Sequence, residues 1–180
     1  MYRNDWSKAS LIEVVEYIER HHCQIKAKLL KLPTLLEHAA NLHKDEYGGI
    51  ISSLQEFLPV FKTELENHFD REEHLLIPYI RQMNEFDKNR GVKPEFHSGS
   101  IKNPISQLEY DHSQTENVMF DKIRAIVDNY QLPQNAGDAI KALYDGLKDI
   151  QTILGEHIHI ENNVLFPLAI KLELELMHKK

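Results

Sequence analysis

Two segments of the chain carry the same motif: "HFDREEHLLIP" at residues 68–78 and "HIHIENNVLFP" at residues 157–167. In both, a glutamate follows the first histidine by four residues and a proline follows it by ten. On an α-helix, a separation of four places two side chains on adjacent turns of one face. The repeated motif therefore predicts two helices that each present an imidazole and a carboxylate on the same side.

Apolar residues recur at intervals of three and four on both sides of these motifs and in two other regions, as expected for the buried faces of helices. Each of the four apolar stripes includes one histidine, and the second and fourth also include a glutamate. The predicted stripes are Leu11, Val15, Ile18, His22, Ile25, Leu29, Leu32 and Leu36; Ile51, Leu54, Leu58, Phe61, Leu65, His68, Glu72, Leu75 and Tyr79; Ile105, Leu108, His112, Thr115 and Met119; and Ile140, Leu143, Leu147, Ile150, Leu154, His157, Glu161, Val164 and Leu168.

Signals for helix ends accompany these stripes. Ser10 with Glu13 forms a capping-box pattern before the first stripe. Asn103 and Pro104 are predicted to be the N-cap and first residue of the third helix. Pro33 is expected to kink the first helix.

Turn signals separate the stripes: "YGG" at 47–49, a polar stretch at about 84–103, and "LPQNAG" at 132–137. No strand-like alternation of apolar and polar residues competes with the helical periodicity. The sequence therefore predicts an all-α protein, an antiparallel up-down-up-down four-helix bundle built from two duplicated helical hairpins.

We expect residues 1–180 to form a single domain, since this length suits one hydrophobic core. The first hairpin is predicted at about 8–83, the polar connection at about 84–103, and the second hairpin at about 104–176.

Composition excludes several classes of protein. The formal net charge is −7 with basic residues dispersed among acidic ones, which argues against binding to nucleic acid or an anionic membrane. The sequence has neither an apolar run long enough to span a membrane nor the apolar segment of a signal peptide near its start, so we expect a cytoplasmic protein. Cys23 is the only cysteine, so a metal bound by this chain alone needs nitrogen and oxygen ligands.

The positions of the stripe histidines predict that they meet. The midpoint of His22 and His68 falls at residue 45, beside the Gly-Gly pair, and the midpoint of His112 and His157 falls within "LPQNAG". In two antiparallel hairpins, these four residues would share one layer of the core, and a separation of four keeps both motif glutamates close to them.

A single histidine on an apolar stripe is more often a hydrogen-bonded core residue than a ligand. Two buried carboxylates that face each other without a cation are strongly unfavourable, however, and a metal removes that conflict. We therefore predict a dinuclear metal site, in which two imidazoles terminate each ion and the two glutamates bridge both. Iron, manganese and zinc all suit these ligands, and a carboxylate-bridged pair in a bundle favours iron. The predicted ligands are His22, His68, Glu72, His112, His157 and Glu161.

His22, "HFDREE", "LEYDHSQ" around His112 and "HIHIENNVLFP" together resemble the hemerythrin-like (HHE) domain, and most closely the repair-of-iron-centres (RIC) proteins. The resemblance covers nearly the whole chain. It implies a non-haem centre of two Fe ions with an oxo bridge, the four histidines as terminal ligands and Glu72 and Glu161 as bridges. It also implies repair of, or iron supply to, iron-sulfur clusters damaged by nitric oxide or oxidants. The implied partners are damaged iron-sulfur proteins or iron acceptors.

Two other functions stay open at this point. A hemerythrin-like protein could bind, sense or store dioxygen or nitric oxide, with these diatomic molecules as its ligands. A di-iron enzyme could reduce nitric oxide or peroxide. Oxygen-carrying hemerythrins use an additional histidine four residues after the third-helix ligand, and that position here is Glu116. The sequence does not indicate the oligomeric state.

The remaining polar residues near the motifs are expected to lie outside the ligand set. His21, His74 and His159 adjoin predicted ligands but leave the apolar stripe, so we predict that they face solvent. Cys23 is predicted to be a packing residue, and His43 to lie near the first turn. Glu73 and Glu116 are predicted to be exposed or to lie behind the ligands rather than to bridge.

Overall fold

A computed structural model describes residues 6–89, 92, 94–95 and 99–178, the side chain of residue 178 excepted. Every regular element in these ranges is helical, which confirms the all-α prediction. No described helix is long and apolar enough to cross a membrane. The α-helices are α1 (Leu11–Leu29), α2 (Leu32–Arg71), α3 (Ile77–Asn89), α4 (Lys102–Gln114), α5 (Phe120–Ile126), α6 (Asp138–Ile160) and α7 (Phe166–His178).

The start of α1 has the predicted capping box. The Ser10 backbone N–H donates to Glu13 Oε2 over 2.7 Å, and the Glu13 N–H donates to Ser10 Oγ over 3.3 Å. Hydrogen bonds from Ser10 lower the pKa of the Glu13 carboxyl. The two residues thereby satisfy N–H groups that have no partner inside the helix.

The kink predicted at Pro33 is present as a break between α1 and α2. The last turn of α1 tightens, since the Lys31 N–H donates to the Lys28 carbonyl over 3.0 Å. Pro33 is the second residue of α2, where a missing N–H is tolerated because the first N–H groups of a helix have no partner within that helix.

The first turn is an interruption inside α2 that overlaps the predicted turn at 47–49 by one residue. The backbone leaves helical geometry at His43 (φ −137°) and at Tyr47 (φ −121°) rather than at the glycines. The second turn is confirmed, because residues 131–137 between α5 and α6 are non-helical and Asn135 has a positive φ of 67°.

The connection between the hairpins is shorter than predicted. Helix α3 continues beyond Asn84 to Asn89, since Met83 is buried and Phe86 packs against the same apolar cluster. Part of the connection lies outside the described residues.

Asn103 is not the N-cap of α4, which begins one residue earlier at Lys102. Ser100 Oγ accepts from the Lys102 N–H over 3.2 Å. Buried Glu173 accepts from Ser100 Oγ over 2.7 Å and from the Ile101 N–H over 2.8 Å. A carboxylate from α7 thus satisfies the start of α4, in agreement with the positive end of the helix dipole there.

Three π-helical turns interrupt the helices of the described residues: Glu72–Leu76, Thr115–Met119 and Glu161–Leu165. In each, the N–H of the residue after the turn donates to the carbonyl of its first residue, five positions back. The extra residue in each π turn shifts the buried apolar stripe by one residue towards the C-terminus. Leu75, predicted to be buried, is 41% exposed, and Leu76 is buried instead. Met119, Val164 and Leu168 are likewise only partly buried, whereas Phe120, Leu165 and Ala169 are buried.

The third residue of every π turn donates a side-chain hydrogen bond to the carbonyl four positions earlier. Nδ1 of His74 lies 3.0 Å from the Asp70 carbonyl oxygen. Asn117 Nδ2 donates to the Ser113 carbonyl over 3.0 Å, and Asn163 Nδ2 donates to the His159 carbonyl over 2.8 Å. Each of these bonds links the middle of a π turn to the helical turn before it.

The chain divides into two compact units. The first unit contains residues 1–22, 67–112 and 156–180, and the second contains 23–66 and 113–155. In the first unit, an apolar cluster that includes Val14, Ile18, Ile80, Leu165 and Phe166 forms the core. All six predicted metal ligands belong to this unit.

Candidate metal centre

The structure brings all six predicted ligands together. They form two groups, within each of which the ligand atoms lie within 4.8 Å of one another. One group is His22, Glu72, His157 and Glu161, and the other is His68, Glu72, His112 and Glu161. Every member is buried, and both glutamates belong to both groups.

Each glutamate contacts two histidines, one from each group. Glu72 Oε2 is 3.1 Å from His22 Nε2, and Glu72 Oε1 is 3.4 Å from His68 Nε2. Glu161 Oε2 is 3.0 Å from His157 Nε2 and 3.1 Å from His112 Nε2. This is the arrangement that carboxylates need if they are to bridge two cations, each of which has two terminal imidazoles.

The four carboxylate oxygens of Glu72 and Glu161 accept no regular hydrogen bond from the described residues, although both side chains are completely buried. Nε2 of His22 and of His157 is also without a hydrogen-bond partner in the described part of the chain. Buried charges in this condition are costly unless a cation compensates them. The donor set of imidazole and carboxylate therefore fits a pair of metal ions.

Although burial opposes their protonation, the nearby carboxylates raise the pKa of His22, His68 and His112. Burial opposes ionisation of Glu72, but the charge of His68 and the close approach of the His22 and His68 rings outweigh the effect of burial, so the pKa of Glu72 lies well below its usual range. Burial lowers the pKa of His68, yet Glu72 and Asp111 raise it to about 10. A metal ion that enters must therefore displace protons, and its affinity rises with pH.

Two histidines are oriented by the residues that follow the central glutamates. Nδ1 of His22 lies 2.9 Å from Glu73 Oε1, and Nδ1 of His112 lies 2.7 Å from Asn162 Oδ1. Since a carboxylate or amide oxygen can only accept, each Nδ1 donates, and Nε2 is left to face the carboxylates. Glu73 thus lies behind His22, which is one of the two locations predicted for it. Asn162 was missed, although its place after Glu161 matches that of Glu73 after Glu72.

The other two histidines have different surroundings. Nδ1 of His68 lies 3.6 Å from Asp111 Oδ2, and Arg71 donates a hydrogen bond to that same oxygen. Nδ1 of His157 has no hydrogen-bond partner among the described residues, and the ring of His21 lies 6.2 Å away, centroid to centroid. Burial, together with nearby His157, lowers the pKa of His21.

Two predictions about neighbouring residues are wrong. His21 is buried rather than solvated, because it lies against the ring of Tyr17 at a centroid distance of 4.2 Å. Cys23 is exposed rather than packed in the core. His74, His159 and Glu116 are exposed, as predicted.

An all-helical protein with a buried, carboxylate-linked histidine cluster belongs to the class of helical metal-binding proteins. A comparison with known families narrows this class, because the hemerythrin HHE cation binding domain matches residues 13–169. The chain belongs to this family.

Relatives with assigned roles are similar over most of the chain. The iron-sulfur cluster repair protein YtfE of Dickeya chrysanthemi (strain Ech1591) is 32% identical over 168 residues, which are 93% of this chain and 69% of that protein. A probable iron-sulfur cluster repair protein of Haemophilus influenzae is 29% identical over 170 residues, 92% of this chain and 68% of the relative. YtfE of Escherichia coli O1:K1 is also 29% identical, over 92% of this chain and 69% of its own length.

Proposed function

We propose that this protein is a non-haem di-iron protein that repairs, or supplies iron to, iron-sulfur clusters damaged by nitrosative or oxidative stress. The observation that carries the proposal is the pair of buried carboxylates, each in contact with one imidazole of either group. The names of the relatives support the repair role. Damaged iron-sulfur proteins or iron acceptors are the proposed partners, and the cytoplasm is the proposed location.

The proposed ligands are those expected from the sequence. His22 and His157 would hold one ion, His68 and His112 the other, and Glu72 and Glu161 both. When bound, iron supplies redox chemistry and a store of transferable metal. Imidazole and carboxylate donors without sulfur are suited to iron, and paired iron ions in helical proteins use similar sets. We propose that residues 1–180 form a single domain, an antiparallel four-helix bundle, around this centre.

The number of imidazoles available to each ion favours repair over reversible oxygen carriage. Among the described residues, each group contains two histidines, and neither group contains a third. The position that provides the extra histidine in oxygen carriers is Glu116, whose side chain is exposed. Two imidazoles for each ion give a more symmetric and less donor-rich centre, which is suited to metal that leaves the protein.

A reconstitution assay tests this function. The protein is loaded anaerobically, its iron is counted, and it is then added with reductant to an iron-sulfur enzyme that nitric oxide has inactivated. We expect two irons per chain and recovery of enzyme activity beyond that produced by an equal amount of free ferrous iron.

The Glu72→Gln/Glu161→Gln variant, in which the shared carboxylates are lost, should give no such recovery. Recovery equal to that from free iron would contradict the repair role. Reversible oxygen uptake by the reduced protein would instead support gas carriage.

A further inference from the structure

We propose that the two metal positions are inequivalent, and that the ion held by His68 and His112 exchanges with solution before the ion held by His22 and His157. This inference rests on the proposed function, in which the site holds two iron ions. We call the pair His22 and His157 the inner position and the pair His68 and His112 the outer position.

The side chains that accept from Nδ1 differ in charge between His22 and His112, which occupy corresponding places in the two positions. His22, at the inner position, donates from Nδ1 to the Glu73 carboxylate over 2.9 Å. His112, at the outer position, donates from Nδ1 to the neutral amide oxygen of Asn162 over 2.7 Å. A carboxylate behind an imidazole makes the ring a stronger donor and adds negative charge near the ion, whereas an amide mainly orients the ring.

The second histidine of the outer position is held less firmly than its neighbour His112. Nδ1 of His68 has no hydrogen-bond partner in the described residues, since the nearest Asp111 oxygen is 3.6 Å away. Arg71 donates a hydrogen bond to that oxygen. At the outer position, therefore, neither Nδ1 donates a hydrogen bond to a carboxylate of the described residues.

Access to solvent also differs. His68 is the most exposed of the six proposed ligands, at 5%. His157 is 0% exposed.

One feature at the inner position acts in the opposite direction, because Nδ1 of His157 also has no hydrogen-bond partner among the described residues. Its ring orientation is fixed instead by packing against the rings of His22 and Phe69, at centroid distances of 4.9 and 5.8 Å. Both positions thus contain one ring without a hydrogen bond at Nδ1. The difference that remains is the carboxylate of Glu73 against the amide of Asn162.

Iron release to a coloured ferrous chelator measures the difference. Protein loaded anaerobically with two ferrous ions is mixed with excess chelator, and the absorbance is followed. We expect two phases of one equivalent each, with rates that differ by about tenfold or more, since changes behind a metal ligand alter affinity by 10–100-fold. In crystals exposed briefly to the chelator, iron anomalous scattering should fade first between His68 and His112.

Exchanging the types of the two residues that accept from Nδ1, Glu73 and Asn162, makes the test specific. Glu73→Gln should accelerate the slow phase by about 10–100-fold, and Asn162→Asp should slow the fast phase by a similar factor, so either variant brings the two rates together. Asp70→Asn removes an exposed carboxylate from the same region of the chain as Glu73, and it should leave both phases unchanged. A slower release from Asn162→Asp cannot result from a damaged fold.

Two irons that leave wild-type protein at one rate would overturn the inequivalence, as would a Glu73→Gln variant in which only the fast phase changes. Fewer than two irons at the outset would instead contradict the dinuclear site, so the two failures are distinguishable.

Discussion

Each of the four central histidines has two ring nitrogens, and the partner of Nδ1 decides whether Nε2 is free to bind a metal. Glu73 and Asn162 fix this choice for His22 and His112 by accepting from Nδ1. In all four central histidines, Nε2 lies within 3.4 Å of a Glu72 or Glu161 oxygen. Single hydrogen bonds outside the cluster therefore help to orient the donors inside it.

The ligand assignment makes a prediction for single substitutions. Replacing His68 or His157 by Ala should remove much of the bound metal, because each supplies one of only two imidazoles in its group. His38→Ala should keep the full metal content, since His38 is exposed. Elemental analysis of the purified proteins measures this, and equal iron in the three variants would contradict the assignment.

At the scale of secondary structure, the π turns position the groups behind the histidines. Glu73 and Asn162 are the second residues of the turns that begin at Glu72 and Glu161. A wider turn rotates the following residues relative to an α-helix, and such turns often occur at functional sites. The remaining π turn, Thr115–Met119, begins three residues after His112.

Deleting one residue from a π turn should convert it to a regular α-helix. Without Asn163, the helix after Glu161 keeps its apolar face, so we expect the free energy of unfolding to change by less than about 1 kcal/mol, or roughly 2–4 °C in Tm. Iron should leave the protein faster, because the contact between Asn162 and His112 depends on the wide turn. Thermal unfolding followed by circular dichroism and the chelator assay measure the two effects.

A deletion in a regular helix provides the control. Removing exposed Lys148 from α6 rotates one part of its apolar stripe by about 100° relative to the other. This should cost more than about 4 kcal/mol. Equal stability losses from both deletions would show that the π turn tolerates the removal of a residue no better than a regular helix does.

The capping box predicts a second effect at this scale. Ser10→Ala removes the hydroxyl that accepts from the Glu13 N–H and donates to its carboxylate, and it should lower the free energy of unfolding by about 1 kcal/mol. Ser53→Ala is the matched control, because this exposed serine lies inside α2 and its hydroxyl donates to the Gly49 carbonyl. Urea unfolding of both variants measures the difference, and an equal loss in the two would contradict a capping role.

For the whole molecule, the metal centre should be coupled to stability. Metal that binds the folded but not the unfolded chain stabilises it by about 2.7 kcal/mol at a free concentration of 100 times Kd. We expect Tm to rise when ferrous iron is added anaerobically to the metal-free protein. The Glu72→Gln/Glu161→Gln variant should lose this rise, since both ions share these carboxylates.

Glu64→Gln/Glu66→Gln is the control for general charge effects, since it exchanges two exposed carboxylates for amides on α2. It should keep the full metal-dependent rise in Tm. An undiminished rise in the Glu72→Gln/Glu161→Gln variant would place the stabilising metal elsewhere.

Much of the candidate site could be predicted because its signals are local in the sequence. The spacing of four in both motifs places His and Glu on one helical face, and that relation depends on helix geometry alone. The capping box and the break near Pro33 likewise need only neighbouring residues. The convergence of the six predicted ligands followed from the positions of the histidines relative to the predicted turns.

The sequence by itself therefore determined the helical class and the six residues of the cluster, because both depend on periodicity. Only the tertiary structure decided that His22 groups with His157 and His68 with His112, since either pairing satisfies the same helical pattern. It also decided the change of register after each π turn and the burial of His21, whose ring lies 6.2 Å from that of His157 on a distant segment. Periodicity specifies which face of a helix is buried, whereas contacts between helices specify which residues meet there.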